Sequence, residues 1–385
     1  MRVPMSDLVA EYHSLKKELD QAIQRVIASG NYVLGEEVEG FEREFATYCG
    51  ASNAVGVGSG TAALQLAISA CNIGPGDEII TVPNTDIPTT AAITHAGARI
   101  VWVDVDPHTF TMDPAKIEER ITTRTRAILP VHLFGHAADM DPILEIAHAH
   151  NLLVIEDAAL AVGAEYKGRK VGTFGIAGCF SLAPSKILGA YGDAGVVVTN
   201  DRTIADRIKV VRNYGHQLDM EEEEGLLATR EWRYAAEGFN ERLDSLQAAI
   251  VRAKLPTVEL RISRRREIAE RYAHLLRGLP IVLPSESSNA RHVYFAYPIL
   301  VENREAIREH LASQGIANRI HYIPPLHLQA VYKRMGLTVG DFPVVESVAR
   351  RMISLPIFPQ MTDDQVDEVG ASMAEYFRRT TVGLA

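Results

Sequence analysis

Apolar residues recur at helical spacing near the start of the chain, at Leu15, Leu19, Ile23 and Ile27, and the pattern stops at Gly30. The spacing predicts an amphipathic helix closed by a glycine. Beyond it the texture changes to short apolar runs separated by stretches of helical spacing. The runs Ala54–Val57, Glu78–Val82, Ile100–Val103, Ala127–His132, Leu152–Ile155, Ala177–Ser181 and Gly195–Thr199 read as strands, and Asp141–His150 as one of the intervening helices. Strands this rich in Val and Ile, alternating with helices, predict an α/β fold with a mainly parallel sheet covered on both faces. Ligands of such sheets gather at the carboxyl ends of the strands, so the chemistry is expected there.

After Asn240 the pattern lengthens. A helical region spans Leu243–Leu276 and carries the charge-rich stretch RISRRREIAERYAHLL. Shorter strands follow at Tyr294–Leu300 and Ile316–Ile320, and a last helix at Asp363–Phe377. This predicts a large domain over residues 1–250 and a smaller C-terminal α+β domain over residues 251–385. The acidic run Asp219–Glu224 reads as a solvated loop, and the basic run Arg261–Arg266 as a solvated helix face.

Composition narrows the function classes. With 385 residues and a formal net charge of −10, the chain has room for two domains but no Lys/Arg stripe. Nucleic-acid binding needs clustered cations to neutralise phosphates, so no nucleic-acid partner is expected. Cys49, Cys71 and Cys179 lack metal-ligand spacing and sit among small or apolar neighbours, which predicts buried thiols and no metal site. The opening MRVPMSDLVAEYHSLKK has no apolar signal core, and no apolar run approaches the roughly 20 residues of a membrane span. A cytoplasmic protein with no membrane partner is expected.

Three segments carry candidate chemistry. Gly58-Ser59-Gly60-Thr61 joins a strand to a helix, where glycines admit an anion close to the backbone. The helix amides and the two hydroxyls there can hold a phosphate, although the same residues also make a good turn and N-cap. Glu156-Asp157-Ala158-Ala159 ends a hydrophobic strand with an acid. Such an acid can cap the following helix, or pair with a pyridine nitrogen and keep it protonated. Phe180–Lys186 (FSLAPSK) places a lysine in a loop of small residues between two apolar strands. A lysine with lowered pKa there can condense with an aldehyde and then shuttle a proton, whereas standing alone it would read as a surface lysine.

The motifs occur in a recognisable order: the glycine-rich turn, EDAA, FSLAPSKILGAYGDAG, GFNERLD, HYIPPLHLQ and SLPIFPQM. Tyr32–Gly35, FEREF (41–45), GPGD (74–77) and PVHLFG (130–135) support them. Together they resemble the DegT/DnrJ/StrS family, sugar aminotransferases with the aspartate-aminotransferase fold (fold-type I) that depend on pyridoxal 5'-phosphate (PLP). The resemblance implies that Lys186 carries PLP as a Schiff base and moves protons, and that Asp157 pairs with the pyridine nitrogen. Ser59, Gly60, Thr61 and Ser181 would hold the phosphate. Asn240 would reach the phosphate of a neighbouring subunit, implying a homodimer with shared active sites. His321, Tyr322 and His327 would lie near the substrate entrance, with packing of the small domain as the alternative for Tyr322 and His327. The implied reaction converts a nucleotide-linked keto sugar to an amino sugar with glutamate or glutamine as donor.

Two cofactor-contacting positions depart from the family pattern. Leu160 follows EDAA where members commonly carry a glutamine for the cofactor's phenolic oxygen, and Asp86 stands where an aromatic commonly stacks on the ring. Losing that donor is expected to raise the imine pKa and loosen the ring, and an acid beside it to perturb it further. The departures leave two alternatives: a dehydratase, lyase or aminocyclitol-forming relative, or a PLP-binding protein without turnover. The family's sugar dehydratases replace the lysine by histidine, so Lys186 argues against that branch.

Overall fold

The computed structural model describes residues 2–216 and 234–382. The acidic run Asp219–Glu224 lies outside the described residues. Helices α1 (Leu8–Ser14), α2 (Lys16–Ser29) and α3 (Glu36–Cys49) open the chain. Next come β1 (Asn53–Val57), α4 (Gly60–Ala70), β2 (Glu78–Thr81), α5 (Ile87–His95), β3 (Arg99–Trp102), β4 (Thr125–Ile128), α6 (Met140–Ala149) and β5 (Leu153–Asp157). Short strands β6 (Glu165–Tyr166) and β7 (Arg169–Lys170) precede β8 (Ala177–Ser181), β9 (Gly195–Thr199) and α7 (Arg202–Val211). The remainder comprises α8 (Ser245–Lys254), α9 (Val258–Leu275), β10 (Ala290–Arg291), β11 (Tyr297–Leu300), α10 (Arg304–Ser313), α11 (Pro343–Arg351), β12 (Met352–Leu355) and α12 (Asp363–Val382).

Seven strands form the main sheet in the order β1-β9-β8-β5-β4-β2-β3. Strands β8, β5, β4, β2 and β3 run parallel, while β9 is antiparallel to both its neighbours. Every residue of β2, β8 and β9 is buried, as expected of a sheet covered on both faces. Alternation along β8 sends successive side chains to opposite faces. Phe180 meets Phe45 of α3 edge-on at 5.3 Å, while Ser181 lies against the first turn of α4. Helix α2 closes as the spacing predicts, with Gly30 left-handed at φ 66°.

Two expectations change. Ile316–Ile320 is not a strand: the Ala317 amide bonds to Val3 O and the Arg319 amide to Ser354 O, so the segment gives its amides to two partners and pairs fully with neither. Strand β11 pairs instead with β12, a strand that the sequence pattern does not mark. Residues 250 and 251 both fall inside α8. Helix α9 bridges two cores: Val258 and Ile262 join the first hydrophobic cluster and Ile268, Ala269 and Tyr272 the second. The second cluster also takes in Val3 from the start of the chain. Finally, the basic run is no solvated face, because Arg261 and Arg265 are 7% and 6% exposed. A helix wedged between two cores has more than one inner side, and charge alternation does not reveal which residues face inward. Among the described residues, no helix is long and apolar enough to cross a membrane.

Candidate active site

Strand alternation separates the neighbouring carboxylates that end β5. Glu156 is fully buried on one face and accepts from the amides of Gly172 at 2.6 Å and of Phe174 and Gly175 at 2.7 Å. His132 Nε2 lies 3.0 Å from it, and the Ala138 amide donates to Nδ1 of the same ring. This network assigns the ring proton to Nε2, so His132 donates to Glu156. With its lone pairs occupied, Glu156 fastens the 172–175 turn.

Asp157 points the other way, toward α5. Thr89 Oγ1 donates to its Oδ2 at 2.7 Å, the Ala159 amide donates to Oδ1 at 3.1 Å, and Thr85 Oγ1 stands 2.8 Å from Thr89 Oγ1. Burial pushes the Asp157 carboxyl above its ordinary range, against the pull of those hydrogen bonds and of the Lys186 charge. Among the described residues, no cationic side chain forms an ion pair with it.

Lys186 sits in the loop between β8 and β9. That loop is closed by Leu182 N to Ala194 O and Ala190 N to Leu182 O, both 2.8 Å, and Lys186 N to Ala183 O, 2.9 Å. The Lys186 Nζ lies 5.1 Å from the centre of the Phe295 ring. Burial lowers its proton affinity, and the charges of Asp157 and Asp86 partly restore it. A lysine more often neutral is a better nucleophile and a better proton acceptor.

Lys186 lines a cavity of about 680 Å³ together with Thr85, Asp86, Leu160, Phe295, Arg319, His321 and Tyr322. Asp157, 4% exposed, lies behind this wall through the Thr89–Thr85 relay. His321 is held by Ser354 Oγ at 3.1 Å, and burial pushes its pKa down to about 4. The Tyr322 ring stacks on Phe134 at 6.1 Å with its backbone in the left-handed region, φ 58°. Burial raises its phenol pKa.

The glycine turn forms beside Ser181. Ser59 caps α4, its Oγ accepting from the Ala62 amide at 3.1 Å. A Cβ on Gly60 would come within 2.6 Å of Ser181 Cβ, and one on Gly195 within 2.2 Å of Ser59 O. Glycine at both positions lets the turn seat on the ends of β8 and β9. This leaves the opening amides of α4, at Gly60 and Thr61, without intrahelical acceptors.

The structure therefore gathers Lys186, Asp86, Leu160, His321 and Tyr322 on one wall, with Asp157 behind it and Ser59, Gly60, Thr61 and Ser181 together at the end of α4. His327 is placed elsewhere. Its side chain is 1% exposed, its Nε2 lies 3.2 Å from Glu346 Oε1, and its ring packs edge-on to Phe342 at 4.8 Å. Its neighbours Pro324, Leu326, Gln329 and Val331 line the cavity instead, because the short helical turn at Leu326–Leu328 rotates the histidine inward. Asn240 is exposed, in a segment joined to the glycine turn by Gly58 N to Glu241 O at 3.0 Å. Sequence reasoning missed Thr89, Thr85, Phe295 and Arg319. Thr89 had a signal, standing three residues after the helix-capping Asp86, where a first-turn side chain looks back over the site.

A mainly parallel sheet that sets a buried lysine on the wall of a cavity at its carboxyl ends, with a buried acid behind that wall, is the frame of a PLP-dependent transferase of the aspartate-aminotransferase fold. The chain belongs to the DegT/DnrJ/EryC1/StrS aminotransferase family, matching it over residues 13–374. It is similar to a Geobacillus stearothermophilus protein named as a pleiotropic regulatory protein, 40% identical over 381 residues covering 98% of this chain and 99% of that protein. It is also similar to the dTDP-3-amino-3,4,6-trideoxy-α-D-glucose transaminase of Streptomyces venezuelae, 42% identical over 379 residues covering 98% and 97%. Among solved structures it is similar to S. venezuelae DesV in complex with a ketimine intermediate, with 42% identity, a TM-score of 0.92, and coverage of 97% of this chain and 98% of that one.

Proposed function

We propose that this chain is a PLP-dependent aminotransferase that places an amino group on the keto carbon of a nucleotide-linked sugar, taking it from glutamate or glutamine. The observation that carries the reading is the Lys186 amine on the wall of a 680 Å³ cavity, with the uncompensated Asp157 carboxyl behind that wall. The residues suit the cofactor. The Ser59-Gly60-Thr61 turn with Ser181 offers amides and hydroxyls to a phosphate. Asp157 offers a charge to a ring nitrogen, and Lys186 offers an amine to an aldehyde. Bound there, PLP supplies an electron sink for the substrate carbon.

The chain's own residues do the rest. Asp157, oriented by Thr89, holds a proton on the ring nitrogen. Lys186 Nζ takes the proton from the donor's α-carbon and delivers one to the sugar carbon, a role worth roughly 10²–10⁴-fold in rate. His321, Tyr322 and Arg319 shape the side of the cavity that the sugar nucleotide enters, and the volume accommodates a ligand of that size. We assign the cofactor to a large domain over residues 1–250, built on the seven-stranded sheet, and the substrate side to the C-terminal residues Arg319, His321 and Tyr322.

We also propose a homodimer. Tyr32, Val33, Tyr214, Tyr234 and Phe239 are 38–58% exposed, and backbone bonds join their segments to one another and to the glycine turn. A second copy covering this apolar area would bring Asn240 to a phosphate, as the family resemblance implies.

The experiment is transfer of labelled nitrogen from glutamate to a nucleotide-linked keto sugar, with Lys186→Ala alongside. Turnover in the wild type and its loss in the variant are expected, and undiminished turnover in Lys186→Ala would sink the assignment. The cavity positions of Leu160 and Asp86 favour a second reading, in which PLP is bound but the reaction differs or is absent. PLP absorbance that never changes on adding either amino donor would decide for silence.

A further inference from the structure

The buried cations of α8 and α9 converge beneath the Lys186 loop. Lys254, fully buried at the end of α8, donates to Gly189 O at 2.7 Å and lies 4.1 Å from the centre of the Tyr191 ring. One helix on, Arg261 Nη1 donates to Ile187 O at 3.1 Å. These carbonyls belong to the residues one and three positions after the lysine. Both cations meet a single carboxylate, Glu11 of α1: its Oε1 is 2.6 Å from Lys254 Nζ and also pairs with Arg261 Nη2. Glu11 is 6% exposed, and α1 is started by Asp7, whose Oδ1 accepts the Ala10 amide at 2.8 Å. One turn along α9, Arg265 donates to Phe295 O at 3.3 Å and Ile357 O at 2.8 Å, holding the residue whose ring faces Lys186.

We infer that Glu11 is a positioning residue for Lys186: by placing one negative charge between Lys254 and Arg261 it allows two buried cations to hold the carbonyls that fix the lysine loop. Without it, two like charges would face each other in a site closed to water. They would separate, or Lys254 would give up its proton, and either change weakens the hold on Ile187 O and Gly189 O. A lysine loop displaced by even a fraction of an ångström presents its amine poorly to a reacting carbon. An ion cluster that serves stability alone would loosen the whole molecule, whereas a positioning cluster acts on residues 182–191 first.

This inference rests on the reading of Lys186 as the amine that receives PLP, and the test separates the two. The full-length protein is compared with Glu11→Gln, which keeps the shape and removes the charge. Hydrogen–deuterium exchange, with and without PLP, reads the loop independently of turnover. Amides of residues 182–191 are expected to exchange at least about tenfold faster in the variant, while those of β4 and β5 stay within about twofold. In the amino-transfer assay, kcat is expected to fall by roughly 10- to 100-fold with the sugar KM within about twofold. Unchanged loop exchange, or equal acceleration throughout the molecule, overturns the inference. If Glu11→Gln does not fold, Lys254→Met takes its place. It frees Gly189 O while leaving Glu11 paired with Arg261, and it must show the same local acceleration or the inference fails. Absence of any PLP-dependent visible absorbance in the wild type would instead defeat the reading of Lys186, and the PLP-free exchange result would stand apart from it.

Discussion

Thr89 Oγ1 stands 2.7 Å from Asp157 Oδ2, and this bond joins α5 to the end of β5 across 68 positions of sequence. The hydroxyl favours the charged carboxylate, opposing the burial that would protonate it. Thr89→Val keeps the shape and removes the donor, so the Asp157 pKa should rise further and its hold on a protonated ring should weaken. A hydrogen bond to a charged group is worth about 1.5–3 kcal/mol, or roughly 10- to 100-fold. PLP retention on dialysis and kcat/KM should both fall within that range, and Thr89→Ser should restore most of it. Equal retention by Thr89→Val and wild type would show that the bond does not matter.

Asp86 gives a prediction with a definite sign. Its charge raises the proton affinity of Lys186, against the burial that lowers it. Asp86→Asn should therefore lower the lysine pKa further, leaving the amine neutral at lower pH. The rate at which PLP-free protein captures PLP, followed against pH, should show its rising limb displaced toward acid. A displacement toward alkali, or none, contradicts the placement of Asp86 beside the amine.

His321 titrates in an accessible range. Burial moves its pKa from 6.5 to about 4, so between those values the unfolded chain takes up a proton that the folded one does not. Its contribution to stability is intact above pH 6.5 and is lost as the pH falls toward 4, to a limit of roughly 3–4 kcal/mol. His321→Gln should flatten the fall in melting temperature across this interval. His136 and His292, also depressed by burial, act in the same direction and leave a residual slope. An identical slope in the variant would mean that His321 is protonated in the folded protein.

The sheet was legible because its strands are short, largely apolar runs between helical stretches, GVVVT of β9 the plainest of them. Lys186 and Asp157 could be singled out as candidates because ligands of such sheets gather at strand ends, and because their flanking residues form long, ordered motifs. Thr89 was not, since a hydrogen bond across 68 positions leaves no local periodicity. Arg261 and Arg265 were misread for a related reason: a basic run on a helix looks the same in sequence whether its partners are water or buried carbonyls. His327 takes the packing alternative, because a motif fixes neighbourhood but not the rotation of one side chain about a helical turn. Strand β12, of four residues, is too short to stand out from the helix that precedes it.

Arg265 tests how far those buried carbonyls depend on one side chain. It donates to Tyr294 O, Phe295 O and Ile357 O, and burial lowers its pKa to about 9. Arg265→Met fills the space but leaves the buried Ile357 carbonyl and two half-buried carbonyls unpaired, at about 1–3 kcal/mol for the buried one and less for the others. The urea midpoint should drop by an amount corresponding to at least about 2 kcal/mol. The exposed Arg308, paired with Glu305, should cost no more than about 1 kcal/mol as Arg308→Ala. Comparable losses in the two variants would mean that Arg265 is solvated after all.

The proposed dimer makes Asn240 and Phe239 separable. Phe239 is 38% exposed and adjoins Tyr214 through Tyr214 N to Phe239 O at 2.9 Å. An aspartate there would place an unpaired charge at the centre of an apolar contact, so Phe239→Asp should shift sedimentation toward monomer and weaken PLP binding together. Asn240→Ala removes a polar group at the margin of the same area and should leave the sedimentation unchanged. If Asn240 reaches the phosphate of the neighbouring copy, its loss should still weaken PLP binding by roughly tenfold, the scale of one charge-assisted hydrogen bond. Tight PLP binding by a strictly monomeric Phe239→Asp protein would show that each cavity is complete by itself, and the shared site would have to be abandoned.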